Sequence, residues 1–331
     1  MKLKHKEFER FLKDNYFCES ILSSSRASIS LLGILLAWKK IFKNPIIALS
    51  SNVCHEVFVS ILRANYTPVF VDLDPFTGKV PPSEWERAYE RGASVALVVH
   101  LYGNPSNTDE VANIFNGKNY LVIDDAAQAI GAKYSNKNCG SMGDVGLLSF
   151  GYKKHIQTGG AITLFKDPMF AKEVELQLRK IHKKDYFGND SSNNNFIADL
   201  RRGRKGVYEK NNTNLKFLHD GLMKYNLLHE LKNPFDPIST FEELKRLNKK
   251  VNVRLNKCSI WRENLDLNKF IPFGLSKNSS PWRYACRIEN ISWEQQNNIS
   301  EEIRKYGINV SNWYIPIHWM YKSKEKFNLK G

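Results

Sequence analysis

Short apolar runs and amphipathic stretches alternate along the first half of the chain. The apolar runs are rich in branched side chains and predict strands at Ile46–Leu49, Pro68–Val71, Val95–His100 and Tyr120–Ile123. The stretches between them place apolar residues at helical spacing and predict helices at His55–Ala64, Ser83–Arg91 and Asn107–Asn116. Strands that are apolar on both faces need helices on both sides. The alternation therefore predicts an α/β fold with a mostly parallel sheet flanked by helices.

The regular pattern is bounded by less regular segments. Residues 8–40 predict two helices separated by the serine-rich stretch Ser23–Ser28, and Ala161–Phe165 predicts another strand. Residues 183–214 are rich in asparagine and basic side chains and have little periodicity. They predict a long loop, a candidate cover for an active site.

The last hundred residues indicate a second, smaller unit. Phe241–Trp261 predicts a helix, and the segments after it predict a small α+β arrangement of Trp282–Ile288, a helix at Trp293–Tyr306, and Ile308–Ile317. From the length of the chain we expect a large α/β domain over residues 1–235 and a smaller α+β domain over residues 236–331.

Composition excludes several classes of protein. A hydrophobic content of 42% is too high for a disordered chain, and no apolar run reaches the roughly 18 residues of a membrane span. The amino terminus has charges but no apolar stretch behind them, so we expect no signal peptide. Five scattered cysteines without a CxxC pair predict reduced thiols and no metal site, which favours a cytoplasmic protein.

The formal net charge of +15 raises the question of nucleic-acid binding. Basic residues are spread along the chain, with one dense cluster at Leu200–Lys205, and no nucleic-acid-binding motif accompanies them. We interpret the charge first as a general bias toward lysine, and second as suited to an anionic small substrate. Nucleic acid ranks last, and we expect none as a partner.

Polar residues that carry chemistry follow the predicted strands. Asp124 and Asp125 end one strand, Ser149 ends another, and Lys154 precedes a glycine pair. A pyridoxal phosphate enzyme needs such an order: the lysine amine bonds to the cofactor aldehyde, the acid keeps the pyridine nitrogen protonated, and the serine holds the phosphate. Adjacent strand residues face opposite sides, so only one of the two acids can reach the cofactor. Composition alone does not separate Lys154 from its neighbour Lys153.

Several motifs in order resemble the DegT/StrS family of sugar-nucleotide aminotransferases. The matching segments are Asp124–Gly131, Ser149–Lys154, Thr67–Asp74, Val99–Gly103 and Gly307–His318. The resemblance implies the fold-type I fold of pyridoxal phosphate-dependent transferases. It selects Lys154 as the lysine, because the family spaces it five residues after the serine, and Asp125 as the acid. It also implies that Gln128 bonds the phenolic oxygen of the cofactor and that Ser149 binds its phosphate.

The same resemblance assigns the start of the second predicted helix to the phosphate. Ser24–Ala27 occupies the family's Ser-Gly-Thr-Ala position, so Ser25, Arg26 and Ala27 are implied to bind the phosphate, partly through backbone amides. Arg26 there either adds positive charge or crowds the loop. Cys54 stands where the family carries an aromatic ring against the cofactor. Because cysteine cannot stack, either His55 or a neighbour does so, or that face is less covered.

The resemblance also implies the reaction. The chain is expected to move an amino group from an amino acid, by resemblance glutamate, to a nucleotide-linked keto sugar in surface polysaccharide or amino-sugar biosynthesis. His155, Tyr314 and His318 are the candidate substrate contacts, although Tyr314 and Trp313 suit core packing equally well. The family works as homodimers, so a homodimer is the expected assembly.

Two departures from the family pattern leave alternatives open. The glycine loop is shortened to Thr158–Gly160, and no Asn-x-Arg motif is recognisable, since neither Asn226 nor Asn233 has an arginine two residues later. One alternative is a catalytically degenerate relative that binds sugar nucleotide or acts as a structural or regulatory partner. Another is a sugar dehydratase, in which histidine replaces the lysine, or a different fold-type I enzyme. Lysine at the position that the spacing selects favours transamination.

Overall fold

The computed structural model describes residues 2–181, 190–208, 216–227, 235–311 and 316–321. Its strands are β1 (Ser20–Ser24), β2 (Ile46–Ser50), β3 (Thr67–Val71), β4 (Val95–Val99), β5 (Leu121–Asp125), β6 (Lys133–Tyr134), β7 (Lys137–Asn138), β8 (Val145–Ser149), β9 (Ala161–Phe165), β10 (Phe270–Pro272) and β11 (Cys286–Ile288). Its α-helices are α1 (Lys2–Tyr16), α2 (Ala27–Ile41), α3 (His55–Arg63), α4 (Pro82–Glu90), α5 (Thr108–Ile114), α6 (Pro168–Ile181), α7 (Asp190–Tyr208), α8 (Lys216–Met223), α9 (Pro237–Lys245), α10 (Leu247–Asn264) and α11 (Trp293–Lys305). Short 3₁₀ helices occur at Leu101–Gly103 and Ile317–Met320.

A seven-stranded sheet in the order β1-β9-β8-β5-β4-β2-β3 forms the centre of the fold. Strand β9 is antiparallel to both of its neighbours, β1 and β8, and the remaining pairs of adjacent strands are parallel. The mostly parallel α/β sheet predicted from the sequence is therefore confirmed. All strands of this sheet except β9 consequently end at the same edge, and a ligand site is expected there.

Apolar packing covers both faces of this sheet. Strands β5, β8 and β9 are buried along their whole length, as their nearly continuous apolar sequences predicted. One face packs against α2, α3 and α6, and the opposite face packs against α4 and α5 through Trp85, Ala88 and Val111. A third cluster joins α1 to α9 and α10 through Phe8, Leu12 and Phe241.

The structure corrects the prediction for three segments of the first 264 residues. The first predicted helix was expected to run to the break at Ser23–Ser28, but α1 ends at Tyr16 and Ser20–Ser24 is the edge strand β1, which pairs with β9. Residues 190–208 of the predicted loop form helix α7, because Phe196 and Leu200 bury one face of an otherwise polar segment. Residues 183–189 and 209–214 of that loop lie outside the described residues. The single helix predicted at Phe241–Trp261 is two helices, α9 and α10, which meet at Arg246.

The carboxyl-terminal predictions are confirmed in part. Helix α11 matches the prediction and begins with a capping box, in which Ser292 and Gln295 exchange hydrogen bonds. Of the segment Trp282–Ile288, which was predicted as part of the small α+β arrangement, only Cys286–Ile288 is regular, and it pairs with β10. Residues 308–311 form no regular element, and Ile317 begins a 3₁₀ helix.

The predicted domain boundary at residue 235 stays a prediction. Residues 228–234 lie outside the described part, and α9 just after them packs against α1 through Phe241, Phe8 and Phe11. Within the described ranges, no helix combines the length and the apolar character that crossing a membrane requires.

Candidate active site

The residues predicted to carry chemistry meet at the edge where the parallel strands end. Ala161 at the start of β9 pairs with Ser149 on one side and with Ser24 on the other. Ser149 and the turn into α2 therefore lie in one row across adjacent strands, which are about 4.8 Å apart. Asp125 ends β5, the next strand beyond β8.

The two adjacent acids face opposite directions, as the alternation of strand side chains predicted. Asp124 is fully buried, and its carboxylate accepts hydrogen bonds from His100 Nε2 at 2.5 Å and from the amides of Gly140 and Met142 at 2.8 Å. Burial raises the pKa of Asp124, but His100 and the two amides outweigh it and hold that pKa below its usual value. Asp124 is thus satisfied inside the protein and is not available to a ligand.

Asp125 has a different environment on the other side of β5. Its Oδ1 accepts a hydrogen bond from the Ala127 amide at 2.8 Å, and no donor among the described residues reaches its Oδ2. Burial raises the pKa of Asp125, and the Ala127 amide and the Lys154 ammonium oppose this rise only partly. A buried carboxylate with one unbonded oxygen would be stabilised by a cationic group bound beside it.

Lys154 lies within electrostatic reach of Asp125 and Cys54. It is half-buried, and its Nζ is 5.1 Å from the centre of the Trp282 ring. Lys153 differs: it is exposed, its φ is +63°, and its Nζ lies 5.2 Å from the ring of Tyr152, which is itself 76% exposed. Of the two adjacent lysines, Lys154 is the one that shares an interaction with the buried acid.

The turn before α2 offers a site for an anion. Helix α2 begins at Ala27, and the side chain of Arg26 at its N-cap position makes no capping hydrogen bond. The Oγ of Ser25 is buried without a hydrogen-bond partner in the described protein. Unbonded amides at a helix start and a buried hydroxyl without a partner both favour a bound anion. The placement of Ser25 and Ala27 is consistent with the role that the resemblance implies, which stays a prediction.

Arg26 makes an interaction that the sequence did not suggest. Its guanidinium bonds to both carboxylate oxygens of Glu56 at 2.6 Å each, and the Tyr225 hydroxyl donates to the same carboxylate at 3.2 Å. The charge of Arg26 is therefore balanced by a carboxylate in the first turn of α3. Whether Arg26 adds charge to a bound phosphate or crowds the loop, the two alternatives that the sequence left open, stays a prediction.

Cys54 precedes α3 beside this ion pair. Burial raises the pKa of its thiol to about 11, with Glu56 adding to the rise, so the thiol is protonated at neutral pH. The adjacent His55 packs its ring against Phe196 and Tyr225, with centroid distances of 5.3 Å and 5.1 Å. His55 thus contacts helix α7 through Phe196 and the segment after α8 through Tyr225.

Gln128 is buried just after β5. Its Oε1 accepts a hydrogen bond from the Tyr102 amide at 2.8 Å. Since the oxygen is used in this way, the amide nitrogen Nε2 is the group that Gln128 can present to a ligand oxygen. The predicted bond to a phenolic oxygen needs a donor of this kind.

His155 is buried and faces the carboxyl-terminal part of the chain. Its Nε2 is 3.0 Å from the Ser280 carbonyl and 3.1 Å from the Ser280 hydroxyl, while Nδ1 has no partner in the described protein. Burial, with the nearby Arg254, lowers the pKa of His155 from 6.5 to about 4. The imidazole is therefore neutral at physiological pH and anchors Ser280 through its Nε2.

The lowered pKa of the buried His155 predicts that the folded protein loses stability in acid. Between pH 6.5 and about 4 the unfolded chain binds a proton at His155 that the folded protein does not, so the free energy of unfolding decreases as the pH falls. The loss is about 3 kcal/mol, at about 1.4 kcal/mol per pKa unit. Urea unfolding at both ends of this range should show the stability advantage of the wild type over His155→Gln shrinking by that amount. An advantage that stays constant with pH would contradict the assignment.

The remaining predicted substrate contacts are less well connected to this edge. His318 lies in the 3₁₀ helix Ile317–Met320, with its ring 5.9 Å from that of Phe70, and burial lowers its pKa. Its electrostatic neighbour is Asp72, which follows β3. Tyr314, Trp313 and Asn233 lie outside the described residues.

Three residues at the site were not identified as functional candidates from the sequence. They are Glu56, Tyr102 and Trp282, which contact Arg26, Gln128 and Lys154, respectively. The sequence offered two local signals for these residues, the glycine that follows Tyr102 and the position of Glu56 at the start of a predicted helix. Neither signal indicates the distant partner.

Comparison with known proteins adds independent findings. The sequence model of the DegT/DnrJ/EryC1/StrS aminotransferase family matches residues 4–200. A pleiotropic regulatory protein of Geobacillus stearothermophilus is 41% identical over 101 residues, 30% of this chain and 27% of that protein. A GDP-perosamine synthase of Escherichia coli O157:H7 is 37% identical over 93 residues, 28% of this chain and 26% of the enzyme. The matched part thus spans about a quarter of each of these relatives.

The fold has solved counterparts as well. A putative sugar aminotransferase from Streptococcus pneumoniae, Spr1654 in its PMP form, superposes with a TM-score of 0.68. The superposition covers 95% of this chain and 79% of that one at 18% sequence identity. At this identity the similarity establishes the fold, and it agrees with the predicted fold-type I architecture.

Proposed function

The chain belongs to the DegT/DnrJ/EryC1/StrS aminotransferase family, and we propose on this basis that it is a pyridoxal phosphate-dependent aminotransferase of nucleotide-linked keto sugars. The observation that carries the proposal is the placement of the half-buried Lys154 just after β8, within electrostatic range of the buried Asp125 at the end of the adjacent strand β5. An amine nucleophile and a buried carboxylate at one sheet edge are the two groups that this chemistry requires of the protein.

The residues at the edge fit the cofactor at both of its ends. The unbonded hydroxyl of Ser25 and the uncapped start of α2 suit a phosphate, with Ser149 in the same row of the sheet and Arg26 beside it. The unbonded Oδ2 of Asp125 suits a protonated ring nitrogen. At the position of Cys54 the family carries an aromatic ring that stacks on the cofactor. Because Cys54 offers a protonated thiol instead, stacking on that face of the cofactor would be weaker than in the family.

Each side chain then has a defined task. Pyridoxal phosphate, when bound, supplies an aldehyde and an electron-accepting ring for the exchange of amino groups. Lys154 holds it through Nζ and, once released, acts as the general base that moves a proton at the reacting carbon of the substrate. Asp125 maintains positive charge at the ring nitrogen through its carboxylate. Gln128 donates from Nε2 to an oxygen of the bound group.

The proposed substrates are an amino acid donor, for which we choose glutamate, and a sugar carried on a nucleotide in amino-sugar or surface polysaccharide biosynthesis. The GDP-perosamine synthase among the relatives supports a nucleotide-linked sugar. The formal net charge of +15 suits an anionic substrate. We propose His318 and Tyr314 as substrate contacts. His155, the third candidate, would act indirectly, because its Nε2 holds Ser280 next to the loop that carries Lys154.

The test is a panel of nucleotide-linked keto sugars incubated with the purified protein, pyridoxal phosphate and glutamate. The expected result is release of 2-oxoglutarate that depends on one class of sugar nucleotide. Glutamine in place of glutamate forms a second arm. Protein that binds the cofactor yet releases no oxo acid with any sugar would refute the aminotransferase proposal.

The dehydratase alternative is disfavoured by the position of the histidine. His155 is adjacent to Lys154 in sequence, but its side chain is buried, and its Nε2 is 3.0 Å from the Ser280 carbonyl. It therefore does not substitute for the lysine.

A catalytically degenerate relative is the second candidate function. The observation that favours it is the Glu56 carboxylate beside Arg26, which places negative charge near the proposed phosphate site. Such a protein would bind a sugar nucleotide without cofactor, acting as a structural or regulatory partner. Calorimetric titration of the cofactor-free protein with the sugar nucleotide, compared with cofactor uptake, distinguishes the two functions.

We further propose a cytoplasmic homodimer. All five cysteines are free thiols, which suits a reducing compartment. Light scattering of the purified protein tests the assembly, and fractionation of cells that express a tagged chain tests the compartment. A monomeric mass or recovery with an extracytoplasmic fraction would refute the respective proposal.

A further inference from the structure

A segment from the carboxyl-terminal part of the chain crosses the proposed active site. Residues 279–283, here called the strap, approach the loop after β4 so closely that the Ser280 amide donates to the Gly103 carbonyl at 2.9 Å. The Ser280 hydroxyl donates to the Ile130 carbonyl at 2.7 Å. Gly103 has a φ of +91°, and a side chain there would meet the Ser280 carbonyl oxygen at 1.8 Å. The strap therefore requires a glycine beneath it.

Trp282 connects the strap to two neighbouring loops. Its main-chain amide donates to the Tyr102 carbonyl at 2.8 Å, and its indole Nε1 donates to the Lys153 carbonyl at 2.6 Å. The face of the same indole lies 5.1 Å from the Nζ of Lys154. One side chain thus touches the lysine loop through both its edge and its face.

The two residues that accept these hydrogen bonds share an unusual backbone. Tyr102 has a φ of +59° and Lys153 has a φ of +63°, in the left-handed region that residues other than glycine seldom adopt. Such conformations persist where the surroundings hold them, and they cluster at functional sites. Tyr102 in turn donates its amide to Gln128 Oε1 at 2.8 Å. A continuous chain of hydrogen bonds therefore runs from Gln128 through Tyr102 and Trp282 to the residue before Lys154.

We propose that Trp282 is a positioning residue for the aminotransferase reaction, and this inference rests on the proposed function. By bridging two strained turns, Trp282 fixes the Lys154 amine relative to Gln128, and its indole face holds the ammonium when no cofactor is bound. Tryptophan suits the task because it combines an N–H donor at the ring edge with the strongest aromatic face for a cation. Arg254 on α10 holds the strap in place, because its guanidinium donates to the carbonyls of Pro281 and Trp282 at 3.0 Å and 3.3 Å.

The test uses Trp282→Phe and Trp282→Leu, with Trp261→Phe on the exposed side of α10 as the matched control. The first measurement is the apparent Kd for pyridoxal phosphate, followed by absorbance. Loss of the Nε1 hydrogen bond should weaken binding roughly tenfold in both Trp282 variants. Trp261→Phe should bind like the wild type.

The second measurement needs no cofactor. Limited labelling with an amine reagent, read by peptide mass spectrometry, gives the reactivity of Lys154 relative to Lys153. In Trp282→Leu the amine loses the aromatic face, so the labelling of Lys154 should rise about threefold, while Trp282→Phe should change it little. In Trp282→Leu, labelling of Lys154 should rise while cofactor binding falls. General destabilisation would raise the labelling of Lys153 as well, so a rise at Lys154 alone indicates the loss of a specific contact.

Arg254→Met provides a second variant that leaves Trp282 intact and should weaken cofactor binding in the same direction. Unchanged binding and labelling in all strap variants, or equal changes in Trp261→Phe, would overturn the role of Trp282. Failure of the wild type to take up cofactor would instead refute the proposed function. In that case the labelling experiment still decides whether Trp282 holds the Lys154 amine.

Discussion

Replacing Lys154 by alanine is expected to abolish amino transfer and to leave the purified protein without the yellow absorbance of held cofactor. On the proposed function, the variant loses the amine that holds the cofactor and the general base that moves the proton. Loss of the proton-transfer role alone costs about 10²–10⁴-fold in rate, and loss of the covalent hold adds to this. We therefore expect 2-oxoglutarate release to fall below detection.

The expectation is specific to Lys154 because the two adjacent lysines have different surroundings. Lys154 is half-buried and interacts electrostatically with Asp125 and Cys54, whereas Lys153 is exposed with its Nζ near Tyr152. Lys153→Ala is thus the matched control. It keeps the carbonyl that Trp282 binds, because that carbonyl belongs to the backbone.

Absorbance after incubation with pyridoxal phosphate and removal of the excess measures the first effect, and 2-oxoglutarate release measures the second. Lys153→Ala should retain both within about threefold, since surface substitutions usually change stability by less than about 0.5 kcal/mol. If Lys153→Ala lost the cofactor and Lys154→Ala kept it, the assignment from spacing and geometry would be wrong.

The sheet could be predicted from the sequence because its signals are local. Val95–Val99 is an apolar run, Leu121–Asp125 is apolar until its two terminal acids, and the amphipathic segments before and after them carry one apolar face each. Edge strand β1 was missed because Ser20–Ser24 has only two apolar residues, which are adjacent and do not alternate with polar ones, so its pairing with β9 leaves no strand pattern in its own sequence. Helix α7 was missed because only a few apolar residues, including Phe196 and Leu200, mark its buried side.

The candidate site was predictable where chemistry follows a strand end. Asp125, Ser149 and Lys154 follow β5 and β8, and parallel strands bring their ends to one edge. The alternation of side chains along a strand showed that only one of Asp124 and Asp125 could reach a cofactor, and the family resemblance selected Asp125. The structure places the first acid against His100 and the second near Lys154, as that alternation requires.

The partners that join distant segments were not predictable. Arg26 and Glu56 are thirty positions apart, and nothing near either residue in sequence specifies the other. Trp282 lies in an irregular segment, and its hydrogen bonds go to the loops that carry Tyr102 and Lys153. Such pairings are properties of the folded chain, and they determine how the local motifs are held.

The substitution Asp125→Asn is expected to remove most of the activity while leaving the fold intact. The amide side chain would keep an oxygen for the Ala127 amide but lose the charge that, on the proposed function, stabilises a protonated ring nitrogen. We expect turnover to fall by at least about 10²–10³-fold, the range for losing one preorganised electrostatic group. Burial raises the pKa of Asp125, so the charge costs stability in the folded protein. The Asp125→Asn variant should therefore unfold at the same urea concentration as the wild type or a slightly higher one.

The same substitution one residue earlier should have the opposite consequences. Asp124 accepts hydrogen bonds from His100, Gly140 and Met142, and an amide nitrogen in place of one oxygen would face a donor. Breaking a buried pair of this kind costs about 3–5 kcal/mol, a large share of the about 5–15 kcal/mol that stabilises a typical domain. Urea unfolding and turnover per folded molecule, measured on both variants, separate the two roles. A large loss of stability in Asp125→Asn, or a loss of turnover confined to Asp124→Asn, would show that the acids had been assigned to the wrong faces of β5.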